Sequence, residues 1–111
     1  MSLASGRRRL LQRDGRPMVL RRIIKGAPAV TVTVIGKVTS YLPQEITGAV
    51  RQGDVRIAIG QDEIAAAAWP TPIRSPDEIA VDDLTYAVQG ALPLYEGTAV
   101  IGWNIHARGG R

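Results

Sequence analysis

Short stretches of alternating apolar and polar residues follow one another along most of the chain, separated by glycine, proline and aspartate. The clearest stretch is 29–38, in which valines point to one face and threonines to the other. An alternation with period two in β-branched residues predicts a strand. Gly36 interrupts it and indicates either a bulge or the close approach of another backbone.

Six further segments have the alternation or the composition of strands: 18–24, 46–51, 55–59, 77–81, 84–89 and 99–107. Four of them are expected to form two hairpins, one across Gln52-Gly53-Asp54 and one across Asp82-Asp83, because Gly and Asp favour tight reversals. Residues 40–47 and 90–98 contain proline and are predicted as connections.

The alanines at 65–68 are expected to belong to the only helix, with Gln61 or Asp62 as its cap and Pro70 as its end. Six or seven short strands and one short helix predict a mainly β fold, a small antiparallel barrel or sandwich. Its core must consist mainly of Val, Ile, Leu and Ala, since the chain has no Phe and only 5% aromatic residues. Leu84 is expected to face this core.

A length of 111 residues fits one domain. We expect a flexible basic arm over 1–16, a barrel over 17–108 and a frayed tail over 109–111. Residues 1–26 carry eight basic residues and one acidic residue, whereas 27–111 carry six basic and nine acidic. The basic end suits nucleic acid or an acidic protein surface, unless it is a solvated tail without a partner. The candidate anion or DNA contacts are Arg7, Arg8, Arg9, Arg13 and Arg16.

The sequence contains no recognisable catalytic motif. With no Cys and one His, it excludes a disulfide framework, thiolate chemistry and a His-rich metal site. It also lacks the glycine loops that bind phosphate and the GxSxG nucleophile turn. We therefore expect a protein that is not an enzyme and that holds no cofactor and no metal. There is no apolar run of about 20 residues and no signal-peptide region, which predicts a soluble, intracellular protein.

A few residues have both a functional and a structural interpretation. His106 is expected to be an exposed histidine near a strand end, although it is the one side chain that titrates near neutral pH. The pairs Asp82-Asp83 and Asp62-Glu63 are interpreted as a turn and a helix N-terminus rather than as catalytic carboxylates. Trp69 and Trp103 are interpreted as core or interface residues, with stacking platforms for bases as the alternative.

Seven segments resemble, in order and spacing, the head–tail connector proteins of long-tailed double-stranded DNA phages. They are VLRR at 19–22, YLPQE at 41–45, QGDVRI at 52–57, AAAWP at 66–70, DEIAV at 77–81, LTYAV at 84–88 and HARG at 106–109. The resemblance is greater to the head-closure or stopper type, which also occurs in prophages and gene-transfer-agent-like elements. Two features depart from the family. Asp82-Asp83 stands where the family commonly has Asp-Gly, and the arginine-rich start lies outside the similarity, so that no family role transfers to it.

The resemblance implies a non-enzymatic β-barrel that forms a homo-oligomeric ring between the portal–adaptor complex and the tail. Such a protein is made in the bacterial host cytoplasm and is found in the virion neck. Phage DNA passes through the ring, and no membrane is involved. The loop expected to project towards the channel or a partner ring, unless it is an ordinary surface connection, comprises Ser40, Tyr41, Leu42, Pro43, Gln44 and Glu45.

Two alternatives remain open from the sequence. One is a small nucleic-acid-binding β-barrel that uses the basic arm and a tryptophan, although the rest of the chain is net acidic and aromatic residues are sparse. The other is a different virion joint, such as a tail-terminator protein, which the sequence does not distinguish from a stopper.

Overall fold

Six antiparallel strands close into a barrel in the computed structural model, which describes residues 15–69 and 72–109. The elements are β1 (Arg16–Arg22), β2 (Val30–Ser40), a 3-10 turn (Pro43–Glu45), β3 (Val55–Gly60), α1 (Gln61–Ala66), β4 (Glu78–Val81), β5 (Leu84–Glu96) and β6 (Ala99–Gly109). Around the barrel the strand order is β1-β2-β3-β6-β5-β4. The predicted class, a mainly β antiparallel fold with one short helix, is therefore confirmed, as a barrel rather than a sandwich.

The barrel interior contains the apolar face of each strand, as the period-two alternation predicts. Its buried residues are Met18, Leu20, Val34, Ile57, Ile59, Ile64, Trp69, Ile73, Ile79, Val81, Tyr86, Val88, Trp103, Ile105 and Ala107. Most are aliphatic, and removing them from water is the main favourable contribution to folding. Helix α1 contacts β2, β3 and β6 and adds Ile64 to this core.

The prediction of a strand at 46–51 is wrong. Residues 46–54 contain turns and bends but no strand, and β3 pairs instead with β2 on one side and β6 on the other. With both edges of β3 occupied, its ladder has no place for the 46–51 segment. Gly53 does reverse the chain, with φ +94°, but this turn joins a long loop to β3 and is not a hairpin.

The prediction of a connection at 90–98 is also wrong. This segment continues β5 as far as Glu96, and only Gly97 and Thr98 separate β5 from β6. The β5–β6 pairing has irregularities between Val88 and Gly90 and between Leu94 and Tyr95. Pro93 is compatible with this strand because β4 pairs with β5 only over residues 84–87, and proline is tolerated at sheet edges.

Asp82 and Asp83 form the predicted turn between β4 and β5. Both have positive φ, 48° and 68°. The tight turn type that matches the twist of a hairpin requires positive φ, a conformation that Asp tolerates although Gly adopts it more readily. Leu84, which follows, is 39% exposed, so that its predicted inward position is wrong. It precedes Tyr86, the first residue of β5 that pairs with β6, and it therefore lies at the open rim of the barrel.

Helix α1 is shorter than the sequence predicts. Gly60, rather than Gln61 or Asp62, is its N-cap, and the helix ends at Ala66 with Ala67 as C-cap and Ala68 at φ +56°. Pro70, the predicted end, lies outside the described residues. Asp62 and Glu63 occupy the first turn, as predicted, where acidic side chains interact favourably with the helix dipole.

The ends of the barrel domain differ slightly from the predicted 17–108. β1 begins at Arg16, the last residue assigned to the arm, and β6 runs to Gly109, the first residue assigned to the tail. The remainder of the predicted arm and tail, 1–14 and 110–111, lies outside the described residues.

Gly36 is required by a close approach, one of the two roles predicted for it, and the β1–β2 pairing continues through it without a bulge. A Cβ at this position would lie 2.8 Å from Met18 Sδ and 2.9 Å from the Ala58 carbonyl oxygen. We expect Gly36→Ala to lower the free energy of unfolding by about 1–3 kcal/mol, measured by urea denaturation. The matched control is Gly90→Ala, where a Cβ meets nothing within 4 Å. Equal stability of the two variants would contradict this assignment.

Candidate functional site

The predicted partner loop is part of the connection between β2 and β3, residues 41–54. Ser40 ends β2, and Pro43–Glu45 form the 3-10 turn. Leu42 is 56% exposed, and Pro43 and Gln44 are exposed beside it. The loop therefore presents one large apolar side chain to solvent.

Glu45 attaches the first half of this loop to β3. Its carboxylate accepts a hydrogen bond from the Leu42 backbone N–H (2.8 Å) and another from Arg56 Nη2 (2.6 Å). These two donors, the Leu42 N–H above all, hold the pKa of Glu45 below its usual value. The Arg56 guanidinium lies 4.9 Å from the centre of the Tyr41 ring, a cation–π distance. Arg56 thus holds the loop through both Glu45 and Tyr41.

His106 connects the same loop to β6. Its ring meets the Tyr41 ring edge to face, with centroids 5.8 Å apart, and its Nε2 lies 2.6 Å from Asp54 Oδ2. The predicted exposed histidine is therefore wrong, because only 18% of the His106 side chain is accessible. The polar face of β6 is covered here by residues of the β2–β3 loop, which the alternation along β6 alone does not reveal.

Asp54 is the centre of these contacts, with only 2% of its side chain exposed. Besides His106, it binds Arg108 through both carboxylate oxygens, Nε–Oδ1 at 2.9 Å and Nη2–Oδ2 at 3.0 Å. It also accepts the Arg51 backbone N–H at 2.9 Å, while Arg108 Nη2 donates to the Ala49 carbonyl at 2.8 Å. These hydrogen bonds, led by those from Arg108, hold the pKa of Asp54 far below its usual range. A carboxylate that is ionised at neutral pH thus joins the end of the loop to β6.

Asp77 repeats this arrangement at the start of β4. It accepts the backbone N–H of the residue three positions earlier, Arg74, at 3.0 Å. It binds Arg22 through both oxygens at 2.8 Å, and Arg22 Nη2 also donates to the Pro72 carbonyl at 2.6 Å. The hydrogen bonds from Arg22 to Asp77 raise the pKa of this guanidinium. In both places a buried aspartate precedes a strand and fixes a loop through an arginine on another strand.

Sequence reasoning did not find these two ion-pair clusters. The local signal is the pattern Arg-x-x-Asp directly before a strand, present as Arg51-Gln52-Gly53-Asp54 and as Arg74-Ser75-Pro76-Asp77. In each, the aspartate N–H also donates to the carbonyl of the leading arginine, at 3.0 and 2.8 Å. The arginines that bind the carboxylates are 54 and 55 residues away in sequence, and no local pattern identifies them.

Of the predicted anion or DNA contacts, only Arg16 lies within the described residues. It is part of β1, and its guanidinium forms an ion pair with Asp82 in the β4–β5 turn. Arg7, Arg8, Arg9 and Arg13 lie outside the described residues. The described residues contain nine basic and nine acidic side chains, so their formal net charge is zero.

Both tryptophans belong to the core. Trp69 is 4% exposed and has the Arg22 guanidinium 5.0 Å from its ring centre. Trp103 is 7% exposed, and its Nε1 donates to Gln61 Oε1 at 2.8 Å. The structural interpretation of these residues is confirmed, since a buried ring offers no face on which a base could stack.

The β5–β6 hairpin extends beyond the six-stranded part of the barrel. β3 pairs with β6 only from Gly102 onward, and β4 pairs with β5 only as far as Ala87. Residues 90–96 of β5 pair with residues 99–106 of β6 and with no other described strand, and residues 99–101 of β6 have no described partner strand besides β5. Leu92 is 71% exposed and Tyr95 is 59% exposed on this hairpin end. These are two large apolar side chains beside an unpaired sheet edge, which favours association with another chain.

The concave surfaces of the described chain are shallow. One hollow has a volume of about 370 Å³ and lies along β5 and Arg108. One of about 330 Å³ lies between Tyr41, Leu92 and His106. The described residues contain no group of three or more side chains placed to hold a metal ion. Across the same residues, no helix is both long and apolar enough to span a membrane.

Comparison of the chain with protein-family models, with curated proteins and with solved structures finds no match. The candidate site is therefore inferred from its geometry alone. That geometry consists of an anchored loop with Leu42 exposed and a hairpin end with Leu92 and Tyr95 exposed.

Proposed function

We propose that this protein is a structural head–tail joining protein of the head-closure or stopper type, in the virion of a phage or prophage. The observation that carries the proposal is the exposed β5–β6 hairpin end on an otherwise closed barrel. A closed barrel leaves few strand edges exposed, and an apolar hairpin beside an unpaired edge is suited to contact with another protein chain. The segment resemblance from Val19 to the C-terminus supports the specific role.

In this role the protein forms a homo-oligomeric ring in the virion neck, between the portal–adaptor complex and the tail, with DNA in the channel. The β2–β3 loop suits a contact surface because its conformation is already fixed before binding. Glu45 and Asp54 fasten its two halves to β3 and β6, while Leu42 remains exposed. A preorganised loop loses less conformational entropy on association than a flexible one.

The nucleic-acid-binding alternative has less support. The tryptophans are buried and the described residues are electrically neutral, so the excess positive charge resides in the terminal residues. Binding through the arm would require Arg7 to Arg13 alone, and phosphate contacts of that kind weaken steeply with salt. A tail terminator remains the neighbouring alternative among virion joints.

The test is to mix the purified protein with the portal–adaptor complex encoded by the same genome and to image the particles by negative-stain electron microscopy. We expect an additional ring of density on the tail-facing end of the complex. A portal–adaptor complex from an unrelated phage is the control and should remain bare. Particles that stay bare with the cognate complex would contradict the proposal. Binding only to purified tails would favour the tail terminator.

A second measurement tests the nucleic-acid-binding alternative. Affinity for a DNA duplex is measured at two salt concentrations, for the full chain and for a variant without residues 1–14. If DNA binding is tight and salt-dependent, disappears on truncation, and occurs without any ring on the portal–adaptor complex, the nucleic-acid-binding barrel replaces the proposal.

A further inference from the structure

A hollow of about 270 Å³ lies between the β1–β2 turn and the segment that precedes β4. Residues 23–25 of the turn and Arg74 of the segment line it, together with the buried Arg22–Asp77 ion pair. The hollow is separate from the β2–β3 loop and from the hairpin end, and no contact described so far makes use of it. We call it the basic hollow and define it by Ile23, Ile24, Lys25 and Arg74.

The basic hollow carries positive charge that no carboxylate balances. Of the nine basic side chains in the described part of the chain, five form ion pairs: Arg16, Arg21, Arg22, Arg56 and Arg108. The other four form none, namely Lys25, Lys37, Arg51 and Arg74, and two of these four line this one hollow. Asp77 is the only carboxylate among the described residues that line it, and Arg22 binds both of its oxygens. An anionic group of a ligand would therefore find a favourable potential here.

The backbone on both sides of the hollow is fixed by hydrogen bonds. The Asp77 carboxylate accepts the Arg74 N–H at 3.0 Å, and the Asp77 N–H donates to the Arg74 carbonyl at 2.8 Å. In the β1–β2 turn, the Ala27 N–H donates to the Ile24 carbonyl at 3.2 Å. The two segments that carry the basic side chains are thus ordered without a ligand, and binding costs less conformational entropy than it would on flexible loops.

Apolar side chains beside the two cations indicate the class of ligand. Ile23 is 67% exposed and Ile24 is 40% exposed. The phosphate backbone of a nucleic acid is bound through its charge, and it gains little from contact with isoleucine. An acidic segment of a protein has carboxylates and apolar side chains next to each other. The combination of charge and apolar surface therefore favours a protein ligand over a nucleic acid.

We propose that the basic hollow is a docking site for an acidic segment of a partner protein. A carboxylate of the segment binds Lys25 and Arg74, and an adjacent apolar side chain packs on Ile23 and Ile24. Arginine can bind a carboxylate through two parallel hydrogen bonds, whereas lysine acts as a point charge. Clustered basic side chains recognise acidic motifs in this way in other proteins. The inference goes beyond the proposed function and holds whether or not the partner belongs to a virion neck.

The probe for the test is a short synthetic peptide with blocked ends in which glutamate alternates with leucine. A second peptide has glutamine in place of each glutamate. Each is titrated into the full chain labelled with nitrogen-15, and the amide signals are followed by NMR. We expect the glutamate peptide to shift the signals of Ile23, Ile24, Lys25 and Arg74 along one saturation curve. The glutamine peptide should bind there at least about tenfold more weakly, because hydrogen bonds to a charged partner are the stronger ones.

Two double variants test the charges. Lys25→Gln combined with Arg74→Gln should weaken binding of the glutamate peptide at least about tenfold. The matched control, Lys37→Gln combined with Arg51→Gln, removes the same charge from two other side chains without ion pairs, and it should weaken binding less than about twofold because salt screens distant charges. All four side chains are exposed, so the fold should tolerate both double variants.

A third variant tests the apolar contact. Ile23→Ser should weaken binding of the glutamate peptide at least about threefold, because the peptide covers this side chain. The matched control is Leu92→Ser on the hairpin end, where the exposure is similar, 71% against 67%. It should leave the affinity unchanged. An effect of Ile23→Ser no larger than that of Leu92→Ser would contradict the apolar part of the site.

Three further results would overturn the inference. The first is equal affinity for the two peptides, or equal losses in the two double variants. The second is a short DNA duplex that shifts the same amide signals at lower concentration than the glutamate peptide, since the ligand would then be phosphate. The third is a shift of these signals with protein concentration alone, since a second copy of this chain would then occupy the hollow. The test needs no portal–adaptor complex, so the failure of this inference and the failure of the proposed function are distinguishable.

Discussion

Replacement of Asp54 by asparagine is expected to lower the free energy of unfolding by about 3–5 kcal/mol at neutral pH, a large fraction of the 5–15 kcal/mol typical of a single domain. Asp54 is buried and is the common acceptor for Arg108, His106 and the Arg51 backbone N–H. An amide in its place removes the negative charge and offers only one acceptor oxygen. Arg108 is then left without its counter-charge, and the end of the β2–β3 loop loses its connection to β6.

The measurement is urea denaturation followed by circular dichroism, with Asp83→Asn as the matched control. Asp83 is exposed and occupies a turn at φ 68°, a conformation that asparagine adopts readily. Its replacement should change stability by no more than about 0.5 kcal/mol. If Asp54→Asn is as mild as Asp83→Asn, the Asp54 cluster does not stabilise the fold as described here.

The effect of Asp54 should also depend on pH with a definite sign. Its pKa is lowered in the folded state, so the unfolded chain binds the proton more readily and stability falls as the solution becomes acidic. The contribution is complete above the unfolded value of about 4 and decreases below it by at most about 1.4 kcal/mol per pH unit. The difference between wild type and Asp54→Asn should therefore shrink as the pH falls from about 4 to 2. A difference that grows over this acidic range would contradict the assignment.

The strands that the sequence predicts well are those that local alternation determines. The valines and threonines of β2, and the alternating side chains of β3 and β6, are placed by the period of a strand alone. The errors fall where pairing between distant segments decides. Residues 46–51 and 55–59 resemble a hairpin locally, but β3 already has β2 and β6 as partners. Residues 90–96 resemble a loop because of Pro93, yet pairing with β6 extends β5 through them.

In the candidate site, too, the features set by local sequence are predicted and those set by contacts between distant segments are not. The Ser40–Glu45 segment was predicted as an exposed loop from its proline and lack of period, and it does lie on the surface. Its attachment was not predicted, because Arg56, His106 and Arg108 come from two strands that only the fold brings beside it. The exposed hairpin end was not predicted either, because residues 90–98 were expected to form a connection. Exposed Leu92 and Tyr95 stand out only once the strand bounds are known.

The two aspartate clusters explain how a small barrel can have exposed apolar segments and a defined shape. Buried ion pairs contribute less net stability than apolar packing, since both charges must leave water. Their bidentate geometry does fix orientation, and here it fixes the loops that precede β3 and β4. The rigid loops and the closed barrel hold Leu42, Leu92 and Ile23 at set positions on the surface, where a neighbouring protein can contact them.

A double-mutant cycle on Arg22 and Asp77 should measure what this second cluster contributes. Only 10% of the Arg22 side chain and 2% of the Asp77 side chain are exposed. Arg22→Met or Asp77→Asn alone leaves one charged partner buried, and each is expected to destabilise the protein by about 3–5 kcal/mol. The double variant removes both charges, so its loss should be smaller than the sum of the two single losses by about 1–3 kcal/mol.

The neighbouring pair Arg21 and Glu78 is the matched control for this cycle. Its members directly precede and follow Arg22 and Asp77 in sequence, but their atoms are 4.0 Å apart and the side chains are 56% and 33% exposed. Because water screens such a pair, the cycle of Arg21→Met and Glu78→Gln should give a coupling energy below about 1 kcal/mol. Arg22 also contacts the Trp69 ring and the Pro72 carbonyl, and the cycle cancels these contributions since they are lost equally with and without Asp77. Equal coupling energies in the two cycles would show that burial of the Arg22–Asp77 pair is not what makes it strong.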